Sequence, residues 1–245
     1  IEALSKLRAG LHSQTTSGFE IIRRLRSYMK IDRRAFVALN VAKRTRDPFD
    51  LLVATILSQN TNDRNAIRAF HQLSASIGVS AAMIARAPLK EVKEAIEPAG
   101  MFNVRARALK DLAWVVLHRY GGDLGWIRRL PLEESRRRLL DLPHVGPKTA
   151  DVLLLFLAGR KTFPIDTHVG RVSRHLEIIR EKDRYEAARR KLMIFFPPSR
   201  YLEAHLLLIG HGRRTCKARR PLCGMCVLKD LCPFPKRHPA FLKLE

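Results

Sequence analysis

Amides, acids and cysteines are all in short supply, and each shortage narrows what the chain can be. Asn and Gln together number eight, and none follows Asn103. Against abundant Arg, Lys and Glu, a lack of heat-labile amides fits a thermophilic source. Half of the eight, Gln59, Asn60, Asn62 and Asn65, stand within seven positions, so a sequence that otherwise avoids amides keeps them there for hydrogen bonding. Acids number 23 against 46 Lys and Arg, a formal net charge of +23. A globular chain that basic suits a polyanion. Its apolar runs fall far short of the ~20 residues of a membrane span, and neither an amphipathic anchor nor a signal-peptide pattern appears. Nucleic acid is therefore the expected partner and the chromosome, inside the cell, the expected location. Cysteine is missing before Cys216, which removes thiol chemistry from most of the molecule.

What is present is concentrated in Leu142 to Arg174, LPHVGPKTADVLLLFLAGRKTFPIDTHVGRVSR. Leu139, Leu140 and Leu142 give an apolar helix face. His144, Val145 and Gly146 form a tight turn, and Pro147 starts a second helix, because proline lacks an N–H that would find no intrahelical partner there. Lys148 falls in the first turn of that helix, with Thr149 beside it. The unpaired N–H groups and the dipole at such an end attract an anion and disfavour an ammonium. Phosphate is welcome there, and a lysine held toward its neutral form is a better nucleophile. Asp166 stands among basic residues, placed to cap a further helix that carries Thr167, His168, Arg171 and Arg174.

Upstream, Asp47-Pro48 opens a segment, Phe49 to Leu57, that is apolar nearly all round, as a buried helix is. It runs into the amide-rich turn Ser58 to Asp63, so a rigid base presents polar side chains. From Ala66 to Tyr120 short amphipathic helices are expected, punctuated by Pro88, Pro98 and Gly100. Met101 and Phe102 directly follow one of those turns; Arg105, Arg107 and Lys110 suit phosphate contacts or an exposed face. Arg136, Arg137 and Arg138 are expected to be solvated or near phosphate. Residues 1 to 44 are expected to form one or two helices with basic faces, and Leu202 to Ile209 another apolar helix.

All four cysteines lie in the last thirty residues, as Cys216, Cys223, Cys226 and Cys232 in the pattern C-x6-C-x2-C-x5-C. Disulfides do not suit a large, basic, intracellular chain. Four thiolates satisfy either zinc or an iron–sulfur cluster. Arg213, Arg214, Lys217, Arg219 and Arg220 crowd the entry to this loop with no acid among them.

LPHVGPKTADV followed by PIDTHVGRV resembles the helix-hairpin-helix plus Gly/Pro-Asp signature of the endonuclease III family of DNA glycosylases. HGRRTCKARRPLCGMCVLKDLCPF is similar to that family's [4Fe–4S] loop, and PFDLLVATILSQNTND resembles its gap-filling segment. The resemblance covers about residues 45 to 235. It implies an all-α fold of two lobes: a helical barrel at 42–160, and a cluster lobe from 1–41 with 161–245, its [4Fe–4S] loop at 216–232. DNA would lie in the cleft, with the hairpin lysine, Lys148, as nucleophile and Asp166, eighteen positions on, as its partner. Asn60, with Gln59 as the competing register, would fill the gap left by a flipped nucleotide, and Met101 would wedge opposite it. His144, Val145, Gly146, Lys148 and Thr149 of the turn, with His168 and Arg171, would contact DNA, and the four cysteines would hold the cluster. One departure stands out. Family hairpins read LPGVG, and His144 replaces the first glycine, where a positive φ is expected. Either the turn is remodelled or the imidazole adds a phosphate contact.

The function so implied is a bifunctional, monomeric glycosylase with abasic-site lyase activity, acting on oxidised pyrimidines such as thymine glycol in double-stranded DNA. A mismatch glycosylase for G·T or G·U pairs is the alternative, although such enzymes commonly lack the lysine. Adenine-removing relatives carry an extra domain for which there is no room. A non-catalytic DNA-binding protein would have no need for both Lys148 and Asp166.

Overall fold

The computed structural model describes residues 17–32, 36–45 and 47–242, and every regular element among them is helical. The all-α expectation is met. The chain divides into two compact units, one of Asp32–Pro164 and one of Ile1–Ile31 with Ile165–Glu245. Helix α1 (Gly18–Tyr28) belongs to the latter. The Asp32–Pro164 unit holds α2 (Val37–Arg44), α3 (Pro48–Ser58), α4 (Asp63–Ser76), α5 (Ala81–Arg86), α6 (Leu89–Ile96), α7 (Phe102–Tyr120), α8 (Trp126–Arg129), α9 (Leu132–Leu140) and α10 (Pro147–Phe156). Helices α11 (Thr167–His175), α12 (Tyr185–Phe195), α13 (Tyr201–Arg214) and α14 (Phe234–Arg237) complete the other unit. No helix among the described residues is long and apolar enough to cross a membrane.

Helix α3 is the axis of its unit. Asp47 caps it, Oδ1 accepting the Phe49 N–H at 2.8 Å, and Pro48 occupies the first turn. From Pro48 to Leu57 every residue but Asp50 is buried. Such a helix needs neighbours all round, and α2, α4, α7 and α10 provide them. Each buried Leu, Ile or Phe contributes roughly 1.5–3 kcal/mol relative to exposure, so the turn that follows α3 stands on the best-packed part of the unit.

Two arginines depart from expectation. Arg136 is 6% exposed; its guanidinium bonds Asp151 of α10 at 2.9 Å, and the same carboxylate accepts the Thr162 hydroxyl at 2.7 Å. A charge so deep is tolerated only when paired and hydrogen-bonded. The pair joins α9 to α10 and braces the turn between them. Arg105, in α7, is 5% exposed and bonds main-chain carbonyls rather than solvent or phosphate. Both lie on the apolar stripe of their own helix, Arg105 with Leu109, Leu112 and Val116, Arg136 with Leu139 and Leu140. That shared stripe is the signal by which burial could have been foreseen.

In the other unit α13 is the buried element, its residues Leu206 to Ile209 all inside. It packs against α11 and α1. A Cβ at Gly212 would come within 2.9 Å of the His168 Cβ, so only glycine lets α11 and α13 approach this closely. On the basic face of α1, Arg24 reaches Asp230 at 2.6 Å and the Val227 carbonyl at 3.2 Å, tying α1 to the cysteine segment. The parts of the N-terminal expectation that fall on residues 1–16 and 33–35 lie outside the described residues.

Candidate functional sites in the two units

The hairpin forms as its sequence dictates. Leu142 and Val145 are buried and pin the turn to the core, leaving His144, Gly146 and Pro147 exposed. The Val145 N–H is spent inside the turn, on the Leu142 carbonyl. Thr149 is buried as well. Gly146 precedes α10 in extended backbone, and a Cβ built on it would meet nothing within 4 Å. Behind this open ground come the first-turn amides of α10, which have no intrahelical acceptor, and the partly exposed Lys148. His144 does adopt the positive φ, +62°, that glycine would adopt more cheaply. Its imidazole Nε2 lies 3.1 Å from Asp111 Oδ2 of α7, so the ring is engaged by the protein's own carboxylate.

Four non-glycine residues among those described have positive φ, and His144 is one. Asn60 at +51° and Met101 at +48° are two more. Such conformations cost energy and collect at functional sites. Both residues are exposed, Met101 to 58%. Of the clustered amides, Asn62 caps α4, its Oδ1 accepting the Asn65 N–H at 2.9 Å, whereas Gln59 and Asn60 project from the surface.

Asp166 caps α11, Oδ1 accepting the Val169 N–H at 2.7 Å. Burial holds the half-buried His168 below its usual range. Arg171 turns inward: Nε donates to the Cys216 carbonyl at 2.8 Å, Nη2 donates to the Gly212 carbonyl at 2.8 Å and lies 3.1 Å from His168 Nδ1. Its guanidinium is thus occupied by the cysteine segment.

The four cysteines do come together. They line one pocket, with His175, His211 and Phe234 among the other walls and no carboxylate. The Leu222 N–H closes the loop on the Thr215 carbonyl, and Cys226 Sγ accepts the Leu228 N–H at 3.4 Å. Cys216 Sγ lies 3.2 Å from His175 Nδ1, and Cys232 donates to the His175 carbonyl at 3.1 Å. Burial pushes the Cys216 thiol up to about 12 and Cys232 to about 11, and raises Cys223 and Cys226 too. Binding of iron at these sulfurs releases their protons. Outside the pocket, Arg213, Arg214, Lys217, Arg219 and Arg220 are all exposed.

Comparison with known proteins decides what these parts belong to. A family model described as an HhH-GPD superfamily base excision DNA repair protein matches residues 53–198, and one for the iron–sulfur binding domain of endonuclease III matches residues 216–232. Endonuclease III of Sulfolobus acidocaldarius is 35% identical over 216 residues, 88% of this chain and 95% of that protein. The chain belongs to the endonuclease III family. A solved non-covalent endonuclease III–DNA complex matches with a TM-score of 0.74 at 28% identity, covering 92% of this chain and all of the other. A trapped endonuclease III–DNA covalent intermediate matches at 0.70 and 28%, covering 86% and 99%.

As a member of the endonuclease III family the chain is a DNA glycosylase/AP lyase and carries a [4Fe–4S] cluster. The cysteine pocket fits that group. Its four sulfurs ring a shared cavity, and among the described residues no three His, Cys, Asp or Glu side chains converge on the position of one ion. A cluster takes one thiolate on each of four separate irons, so Cys216, Cys223, Cys226 and Cys232 would hold it. Bound there, it supplies iron–thiolate bonds that cross-link the loop.

Proposed function

We propose that this member of the endonuclease III family excises oxidised or ring-saturated pyrimidines from double-stranded DNA and cuts the resulting abasic site through a Schiff base on Lys148. The observation that carries this is the place of Lys148: first turn of α10, directly behind the open Gly146 turn. Phosphate held by the first-turn amides would bring the backbone of the strand to the lysine. The duplex hides its glycosidic bonds, so the damaged nucleotide is first rotated out, with Asn60 or Gln59 entering the gap and Met101 wedging the opposite base. The Lys148 amine then forms a bond to the anomeric carbon as the bond to the base breaks, and the base departs with that electron pair. Ring opening gives the iminium, which acidifies the neighbouring sugar proton; its removal sends electrons through the iminium system and expels the 3′ phosphate. Asp166, its Oδ1 engaged in the cap, serves as proton acceptor for the lysine or as counter-charge to the cationic sugar.

The hairpin assignment makes a separable prediction. Because a Cβ at Gly146 would meet nothing within 4 Å, Gly146→Ala should cost only the about 0.5–1 kcal/mol by which alanine is the poorer N-cap, yet obstruct the phosphate. Fluorescence anisotropy with a duplex carrying a stable abasic analogue should show affinity reduced about tenfold, the equivalent of one charge-assisted hydrogen bond. Unchanged affinity would take the phosphate away from this turn.

Lesion choice is tested by single-turnover base release from matched duplexes carrying thymine glycol or a G·T mismatch. Thymine glycol is expected to be released faster by about 100-fold or more. Preference for the mismatched thymine would move the chain to mismatch repair.

A further inference from the structure

Asn60 and Met101 are far apart in sequence, yet one side chain grips the main chain just before each. Arg105 Nη1 donates to the carbonyls of Ile56 at 2.7 Å and Leu57 at 2.9 Å, Nη2 to that of Gln59, and Nε to that of Gly100 at 2.8 Å. The first two are last-turn carbonyls of α3, that of Ile56 also accepting the Gln59 N–H at 3.2 Å, where a cation meets the negative end of the helix dipole. The other two matter more. The Gln59 carbonyl is part of the peptide that joins Gln59 to Asn60, and the Gly100 carbonyl part of the peptide that joins Gly100 to Met101. A peptide is planar, so fixing its oxygen fixes the nitrogen from which the next residue's φ is measured. Those next residues are Asn60 and Met101, both exposed and left-handed.

We propose that Arg105 is a positioning residue that couples the gap-filling turn to the wedging turn, holding Asn60 and Met101 at one spacing so that they enter the duplex together. This rests on the assignment of both turns to DNA made above. The guanidinium suits the task because its planar fork reaches several acceptors in fixed directions, which an ammonium cannot. It is also buried, so water does not compete for the four carbonyls, and burial alone pulls its pKa down. An internal control lies one turn further along α7. Lys110 donates to the carbonyls of Ala85 at 2.7 Å and Ala87 at 2.5 Å, anchoring the end of α5 in the same manner but touching neither turn.

The test uses the cluster-loaded protein, a duplex with 2-aminopurine opposite the lesion, and single-turnover base release. Arg105→Met is expected to abolish the fluorescence rise that reports unstacking and to slow base release about 100-fold, the cost of a misplacement of about 1 Å. Arg105→Lys, which serves alone if the methionine variant does not fold, should recover part of both. Lys110→Met should lower thermal stability while leaving the fluorescence rise and the rate at parent levels. In the parent, Asn60→Ala and Met101→Ala should each cost nearly as much as the pair; in the Arg105→Lys background their effects should multiply independently. If both single variants keep full unstacking, the assignment of the turns to DNA falls, and the proposal with it. If they suppress unstacking while Arg105→Met or Arg105→Lys does not, that assignment stands and the coupling is overturned. Equal loss in Lys110→Met would likewise overturn it.

Discussion

Replacing Lys148 with glutamine is expected to slow strand cleavage at a preformed abasic site by about 10⁴-fold or more, the scale on which removal of a covalent nucleophile acts. Affinity for the same duplex should change by no more than roughly threefold, because one cation among many contributes little to binding. The separation follows from what shapes the turn. Leu142 and Val145 anchor it, and the Arg136–Asp151 pair braces α9 against α10. The hairpin should therefore keep its shape and its hold on phosphate while losing the amine. Single-turnover gel assays and anisotropy measure the two halves. Loss of affinity in step with loss of rate would make Lys148 a phosphate contact, and cleavage by the variant at the parent rate would remove it from the chemistry.

The second large effect is expected at the cysteine loop. From Cys216 to Cys232 only Pro221, Cys223 and Leu228 are buried, so apolar packing does little to order the loop. The Arg24–Asp230 ion pair is partly exposed, and such pairs contribute about 1 kcal/mol at most. The iron–thiolate bonds must then supply most of its stability, since binding energy at a structural metal site is folding energy. Cys216→Ala should lose the absorbance at about 400 nm given by cysteine-ligated clusters. The variant should also be destabilised on the order of 5 kcal/mol, or roughly 10–20 °C in Tm for a chain of this size. Weaker DNA binding should accompany this, because Lys217, Arg219 and Arg220 belong to the same loop. A variant that loses its colour but keeps its Tm would show that the loop folds without the cluster.

Much of this architecture is legible in the sequence because its signals are local. Asp47-Pro48 caps α3 from within its own first turn, and the apolar run behind it burial confirms. The hairpin announces itself through Pro147 and the leucines before it, the cluster loop through cysteine spacing. Charge alone points Arg105 and Arg136 outward, whereas their places on apolar helix stripes turn them in. Among their partners are the Ile56 carbonyl, 49 residues from Arg105 at the end of α3, and Asp151, 15 residues from Arg136 in α10, and only the tertiary fold brings these acceptors to them. The ring of His144 likewise finds Asp111, 33 residues distant. Arg171 belongs to the same class, its guanidinium turned toward Gly212 and Cys216. In each case a long-range acceptor, invisible to residue type alone, holds the polar group.

In the proposed mechanism Lys148 forms a covalent bond to the sugar. Borohydride reduction during reaction with duplexes carrying thymine glycol or an abasic site tests it most directly, with Lys148→Gln alongside. A protein–DNA adduct with both substrates, mapping to Lys148 by peptide mass and missing in the variant, is the predicted result. No adduct from a parent protein that binds the duplex, or an equal adduct from Lys148→Gln, would contradict it.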